Sequence, residues 1–407
     1  MYQDVNVMML IGFGYLMTFI KHHLWSTLSY TFFINAVIVQ LYLLWGPFWH
    51  KVFAGHWGDK LFVVEKSFTA ASYSVASVLI AFGAVLGRVG PLELLIMALV
   101  QIIGYTLNEN IVYERLGVFD VGGSTAIHTF GAYFGLTVSF ILAKFSKPLI
   151  KPETSYSSNV FAFLGTFFLW MFWPSFNAGY FATNPYEKST IVANTIIALT
   201  GSCLGTFIMT SLFRHKFDLE DILNASLAGG VIIGAPAGIF TNAAGPLCIG
   251  IFAGIISGLG YEYLEQFIQD KFGIYDSCGV NNLHGIPGIL GGIFSAIAIA
   301  SYTSQPITDT TQASYLPFYP LPGTNLNIHG RTFYQQGGIQ IAAIFISMGI
   351  AIGFGIIAGF LITRVYKMKP EEFNNDEINF EHAYDDSFQQ QETHGINNFE
   401  SAQKIQN

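Results

Sequence analysis

Apolar residues in this chain neither alternate nor form narrow stripes. They gather into runs about as long as a bilayer core is thick, roughly 17 to 25 residues. Eleven such runs, each bounded by charge or turn residues, lie near 5 to 20, 28 to 47, 70 to 87, 91 to 112, 122 to 143, 159 to 177, 190 to 213, 221 to 240, 245 to 264, 281 to 302 and 337 to 363. The first is short, and only Thr241 to Ala244 separate the eighth from the ninth. The pattern predicts an all-α polytopic membrane protein with eleven transmembrane helices, the last the longest.

An odd number of spans puts the termini on opposite sides, and Lys and Arg decide which. With the N-terminus outside, twelve basic residues fall inside and six outside, so the basic-inside tendency predicts an outer N-terminus and a cytoplasmic C-terminus. The first five spans then run opposite to the next five, as in an inverted 5+5 repeat, and the eleventh is left over.

Composition agrees. Of 407 residues 52% are hydrophobic and 11% charged, with a mean hydropathy of +0.47, more apolar than an ordinary soluble domain. The net charge of -8 is misleading, because residues 371 to 407 hold nine Asp or Glu against one Lys, which accounts for all of it. The expected division is a membrane domain over 1 to 369 and an acidic, disordered cytoplasmic tail over 370 to 407, either simply solvated or a docking point for a cytoplasmic partner. Cys203, Cys248 and Cys278 sit in or beside apolar runs and read as small hydrophobes, not as a disulfide framework. Met1 to Val7 carries acid where a signal peptide would carry base, so the first run is expected to be retained. No basic stripe favours nucleic acid.

Two features carry candidate chemistry. Asp120 stands eight residues before His128, and Asp276 eight before His284, each pair opening a nearly chargeless span. Ionisable groups at membrane depth are costly and usually serve a pathway. Related by the repeat, spans five and ten would bring the two histidines together near the midplane. The bland alternative is two unrelated packing histidines bonded to backbone or to Asn281 and Asn282. In the functional reading neutral imidazoles, each able to donate and accept one hydrogen bond, guide a small polar molecule or pass a proton. Asp120 and Asp276 serve either as N-caps and dipole partners or as carboxylates that hold the pore helices and attract a cation. Gly250, Gly254 and Gly258 form a small-residue ridge suited to close helix contact. The adjacent His22 and His23, beside Lys21, read as a solvated basic turn. Neither HExxH, a nucleophile elbow nor a P-loop occurs, so an enzyme is disfavoured, and no metal or cofactor is called for.

The local wording is more specific. Asp120 to Gly135 reads DVGGSTAIHTFGAYFG, Asp276 to Gly292 reads DSCGVNNLHGIPGILGG, and LWMFWPSFN and NASLAGG lie between them, ending at Asn177 and Gly230. These blocks resemble the ammonium transporter and Rhesus glycoprotein superfamily, closest to the Rhesus branch, and the likeness runs from about Gln3 through span eleven. The resemblance implies a homotrimer of eleven-helix subunits in a lipid bilayer, expected in the plasma membrane, each conducting ammonia or ammonium through its own narrow pore. His128 and His284 match the twin pore histidines, Asp120 the carboxylate before span five, and Phe176 one ring of a paired phenylalanine gate. Counting from AFGAVLGR puts the second ring at Tyr73, where the family usually has Phe. That hydroxyl either wets the constriction or packs in a helix contact. The stretch Leu107 to Phe119 lacks the Trp that other branches use for cation capture, which leaves recruitment to Glu109 and Glu114. Many Rhesus relatives carry a further span ahead of the first.

The expectation is therefore that ammonium is recruited outside, deprotonated near the aromatic ring, and conducted as ammonia past His128 and His284. Two alternatives remain at this stage: the same pore passing carbon dioxide or methylamine, and a non-conducting ammonium sensor or scaffold that signals through its tail.

Overall fold

The computed structural model describes residues 2–58, 60–145, 154–179, 185–301, 330–365 and 376–381. Among these the fold is helical, and its one β feature is an isolated bridge between Ile20 and Thr154. Nine helices are long and apolar enough to cross a bilayer unbroken: α1 (Leu24–Ala54), α2 (Glu65–Val85), α3 (Pro91–Arg115), α4 (Ser124–Phe145), α5 (Tyr156–Ala178), α6 (Glu187–Arg214), α7 (Ala244–Phe272), α8 (Asn281–Ala300) and α9 (Phe333–Val365).

Of the other two expected spans, the first is a short continuous helical run of mixed type and the eighth is interrupted. The first passes from an α-turn (Tyr2–Val7) through a π segment (Met8–Phe13) to a further α and a 3₁₀ turn ending at Phe19. The eighth divides into Leu219–Ala225 and Ala228–Ile233 before a run of turns. Its second piece packs closely on α5: a side chain on Gly230 would meet the Trp173 indole at 2.5 to 2.7 Å. Hydropathy integrates over a window and does not register such a break; among the described residues nine helices have the length and hydropathy of a full span.

Burial sorts the helices into layers. α2 and α4 are enclosed almost throughout, whereas α1 and α9 leave most of their surface outward. α2 can lie at the centre because its segment TAASYSVAS is small, and its hydroxyls return to the helix's own carbonyls, as in Ser72 to Phe68 at 3.0 Å and Ser74 to Ala71 at 2.6 Å. The predicted ridge on α7 packs on α6: a Cβ on Gly250 would lie 2.8 Å from the Ala198 Cα, and one on Gly201 of α6 would lie 2.6 Å from the Leu247 carbonyl oxygen. All three cysteines are free.

The acidic tail is not wholly solvated. Residues Asp376–Asn379 form a turn of helix, and Asp376 is buried. Its carboxylate accepts from the backbone N–H groups of Trp25 and Ser26, both at 2.8 Å, while its own N–H donates to the His22 carbonyl. It thus satisfies the orphan donors that open α1 and compensates the helix dipole. The Phe380 ring meets Tyr30 at 6.0 Å. A composition that is polar on average hid one carboxylate with a fixed destination.

The expected basic turn also differs. His23 is buried, with Nδ1 donating to the Lys21 carbonyl at 2.8 Å, and burial holds the ring's proton affinity below its ordinary value even though Asp376 works the other way. Replacing Asp376 with Ala is expected to cost about 1 to 2 kcal/mol of local stability. Limited proteolysis measures it, as several-fold faster cleavage between Lys367 and Phe380. Because the folded His23 binds its proton less readily than the unfolded chain, the fold around it should lose stability as pH falls below about 6.5, the ring's ordinary value.

Candidate conduction site

Each histidine is placed by the same local device in both halves. Asp120 is followed three residues later by Gly123 in the left-handed conformation (φ 71°), and Asp276 by Gly279 (φ 63°). That turn folds the chain back so that the carboxylate caps the helix it precedes. Asp120 Oδ2 accepts from Thr125 and Ala126 at 3.0 and 2.9 Å, and the two Asp276 oxygens accept from Val280 and Asn281, both at 2.9 Å. Both helices then open with a π-turn, Ser124–Thr129 and Asn281–Gly285, and the histidine lies in that widened turn. In the first, the Thr129 hydroxyl bonds the Ser124 carbonyl five residues back, at 2.9 Å.

The two turns face each other. His128 Nδ1 lies 3.1 Å from His284 Nδ1, the ring centroids are 5.2 Å apart and the planes differ by 4°. Both rings are buried. Above His128, Phe176 lies 5.9 Å away, centroid to centroid, and Tyr73 meets Phe176 edge to face at 4.6 Å and 75°. Tyr73, Phe176, His128 and His284 thus form one unbroken row of ring contacts.

Two further rings flank the histidines, and the sequence reading did not assign them. Trp173 stacks on His128 at 5.8 Å and 21°, and Phe13 stacks on His284 at 6.1 Å and 21°. Trp173 could have been found from its position three residues before Phe176, one helical turn away. Nothing local marks Phe13 among the apolar residues of the first run. Asn177 fixes this wall: its amide donates to Thr195 Oγ1 at 3.0 Å and to the Gly230 carbonyl at 3.3 Å, joining α5 to α6 and to the broken eighth segment.

The remaining predicted residues hold other positions. Asp120 and Asp276 cap their helices, the geometry that the N-cap reading expects. Asn281 is buried in the turn of His284, bonded through its N–H to Asp276. Glu109 sits near the end of α3, where Tyr42 donates to it at 2.9 Å. Glu114 lies on the surface, accepting from His50 at 2.8 Å and Asn110 at 2.7 Å. No group of three or more His, Cys, Asp or Glu suited to a metal ion occurs among the described residues.

A buried, aligned imidazole pair beneath an aromatic ring pair is an arrangement to be compared with known proteins. Residues 1–384 match the sequence model of the Ammonium Transporter Family. The chain belongs to that family. It is 38% identical over 365 residues to the ammonium transporter Rh type B of Takifugu rubripes, spanning 89% of this chain and 77% of that protein. To the Rh type C transporter of Canis lupus familiaris it is 38% identical over 379 residues, or 92% and 80% of the two chains. The solved structure of Rh50 from Nitrosomonas europaea superposes with a TM-score of 0.77 at 32% identity, covering 100% of this chain and 96% of that one. The match places this member of the family on its Rhesus side and makes it an ammonium transporter, not an enzyme.

Proposed function

We propose that the protein carries ammonium nitrogen across its membrane as uncharged ammonia, along a path from the Tyr73 and Phe176 rings past His128 and His284. The observation that carries this reading is the Nδ1 to Nδ1 approach of 3.1 Å. Two neutral imidazoles share that contact only if one donates and the other accepts. The donor ring then keeps a lone pair on Nε2 and the acceptor ring keeps an Nε2–H. Ammonia, which both donates and accepts, finds one complementary site on each ring.

A bare cation fares worse. Passing Phe176, Trp173 and Phe13 would strip its water with no opposing charge nearby, which costs several kcal/mol even after relaxation. Ammonium recruited at the outer face, with Glu109 as a candidate carboxylate, would release its proton before the aromatic pair and regain one inside. Asp120 and Asp276 act by holding the histidine turns. An outer N-terminus, a cytoplasmic tail, a plasma-membrane setting and assembly as a homotrimer complete the reading, on the basic-residue asymmetry and on likeness to the family.

Stopped-flow ammonia uptake into proteoliposomes with simultaneous current recording tests the reading. Rapid internal alkalinisation without current is expected, and it should fall in His128→Ala. Current that scales with ammonium concentration would reject it, and carbon dioxide flux measured on the same vesicles shows whether the path is confined to nitrogen.

A further inference from the structure

The aromatic gate is fastened from behind. The Tyr73 hydroxyl does not face the path. It donates to the backbone carbonyl of Phe176, at 2.5 Å. That carbonyl is one of the last in α5, where the helix has no further N–H groups to offer, and its other partner is the Gly179 N–H at a long 3.3 Å. Gly179 also makes the space: a Cβ there would lie 2.6 Å from the Tyr73 hydroxyl and 2.8 Å from the Ser175 carbonyl oxygen. Upstream, Pro174 inside α5 brings no N–H, so this end of the helix is already short of its own hydrogen bonds.

We infer that the Tyr73 hydroxyl is a positioning group that ties the two gate rings into one unit and thereby sets both the opening rate of the gate and the cargo size it admits. One ring is anchored through its own oxygen to the backbone that carries the other, so Phe176 cannot swing away from Tyr73 without breaking that bond. A phenylalanine at 73 would keep the edge-to-face contact and lose the tie. The arrangement is one-sided: Phe13, which stacks on His284 at the other end, has no hydroxyl to anchor it. The gate nearest His128 is the stiffer of the two ring contacts. This inference rests on the conduction reading above, and it concerns how the path is closed.

The deciding experiment compares wild type, Tyr73→Phe and Gly179→Ala in proteoliposomes. The expected result for Tyr73→Phe is ammonia uptake about fivefold faster, the factor given by losing one ordinary hydrogen bond that favours the closed gate. Methylamine uptake should rise further, so the methylamine-to-ammonia ratio increases. Gly179→Ala, which crowds the hydroxyl off the carbonyl, should shift that ratio in the same direction. Hydrogen–deuterium exchange around Phe176 to Gly179 should quicken in both variants, and this readout does not depend on transport. Faster exchange with an unchanged ratio would make the bond purely structural and overturn the inference. Unchanged exchange would show that the bond is absent. Wild-type vesicles that take up no ammonia would instead reject the conduction reading, while the exchange measurement still reports whether the tie exists.

Discussion

Ammonia uptake is expected to drop at least tenfold in His284→Ala and in His128→Ala, with the protein still folded. Each truncation removes one of the hydrogen-bonding nitrogens along the path, and one such interaction missing at the top of the barrier is worth about tenfold in rate at ~1.4 kcal/mol. It also leaves the surviving Nδ1 without the partner it holds at 3.1 Å, a buried polar group costing about 1 to 3 kcal/mol. The two effects separate in measurement, because the first appears in uptake per reconstituted protomer and the second in the thermal midpoint in detergent. The double variant should be little worse than either single one, since the rings act as a pair. Either variant conducting at the wild-type rate would remove the imidazoles from the mechanism.

The largest stability effect is expected away from the path. Gly123→Ala places a Cβ at φ 71°, where side chains are strained, and drives it against the Ile127 side chain, whose Cγ1 lies 2.5 Å from that position. Backbone strain of about 1 to 3 kcal/mol and overpacking of about 1 to 3 kcal/mol add to a loss of roughly 2 to 6 kcal/mol. Ile127 precedes His128 in the same π-turn, so relief of the clash rotates the turn and spoils the alignment with His284. A thermal midpoint lowered by several degrees, together with reduced uptake, is the expected outcome. Gly279→Ala should act likewise, because Gly279 stands at the same place in the second half, with the Tyr261 ring against it. A wild-type midpoint in Gly123→Ala would show that the repeated turn does not fix the histidines.

How much of this site could be read in advance follows from what kind of interaction places each residue. The apolar runs follow from the expense of polar groups in hydrocarbon, and the Asp and His spacing follows from a local turn that each half builds by itself. The two caps, the two glycine turns and the two histidines are therefore within reach of sequence reasoning. Tyr73 and Phe176 were reached only by likeness to known members, since 103 positions separate them and no periodicity links them. Sequence left the Tyr73 hydroxyl between wetting the constriction and packing in a helix contact, because its direction depends on the Phe176 carbonyl at the end of another helix, to which it donates. Phe13 and the docking of Asp376 on α1 were not legible for a related reason: an ordinary apolar residue and an ordinary acid become special only through what lies across from them.

The sequence by itself determined that this is a helical membrane protein of repeated halves with a histidine opening one span in each, because hydropathy and capping chemistry act over one or two helical turns. Only the tertiary structure decided that the two imidazoles lie side by side, that the eighth expected span is broken, and that the Tyr73 hydroxyl bonds the Phe176 carbonyl. Those outcomes depend on how closely helices approach and where their unsatisfied backbone groups end up, which are properties of pairs of segments far apart in the chain.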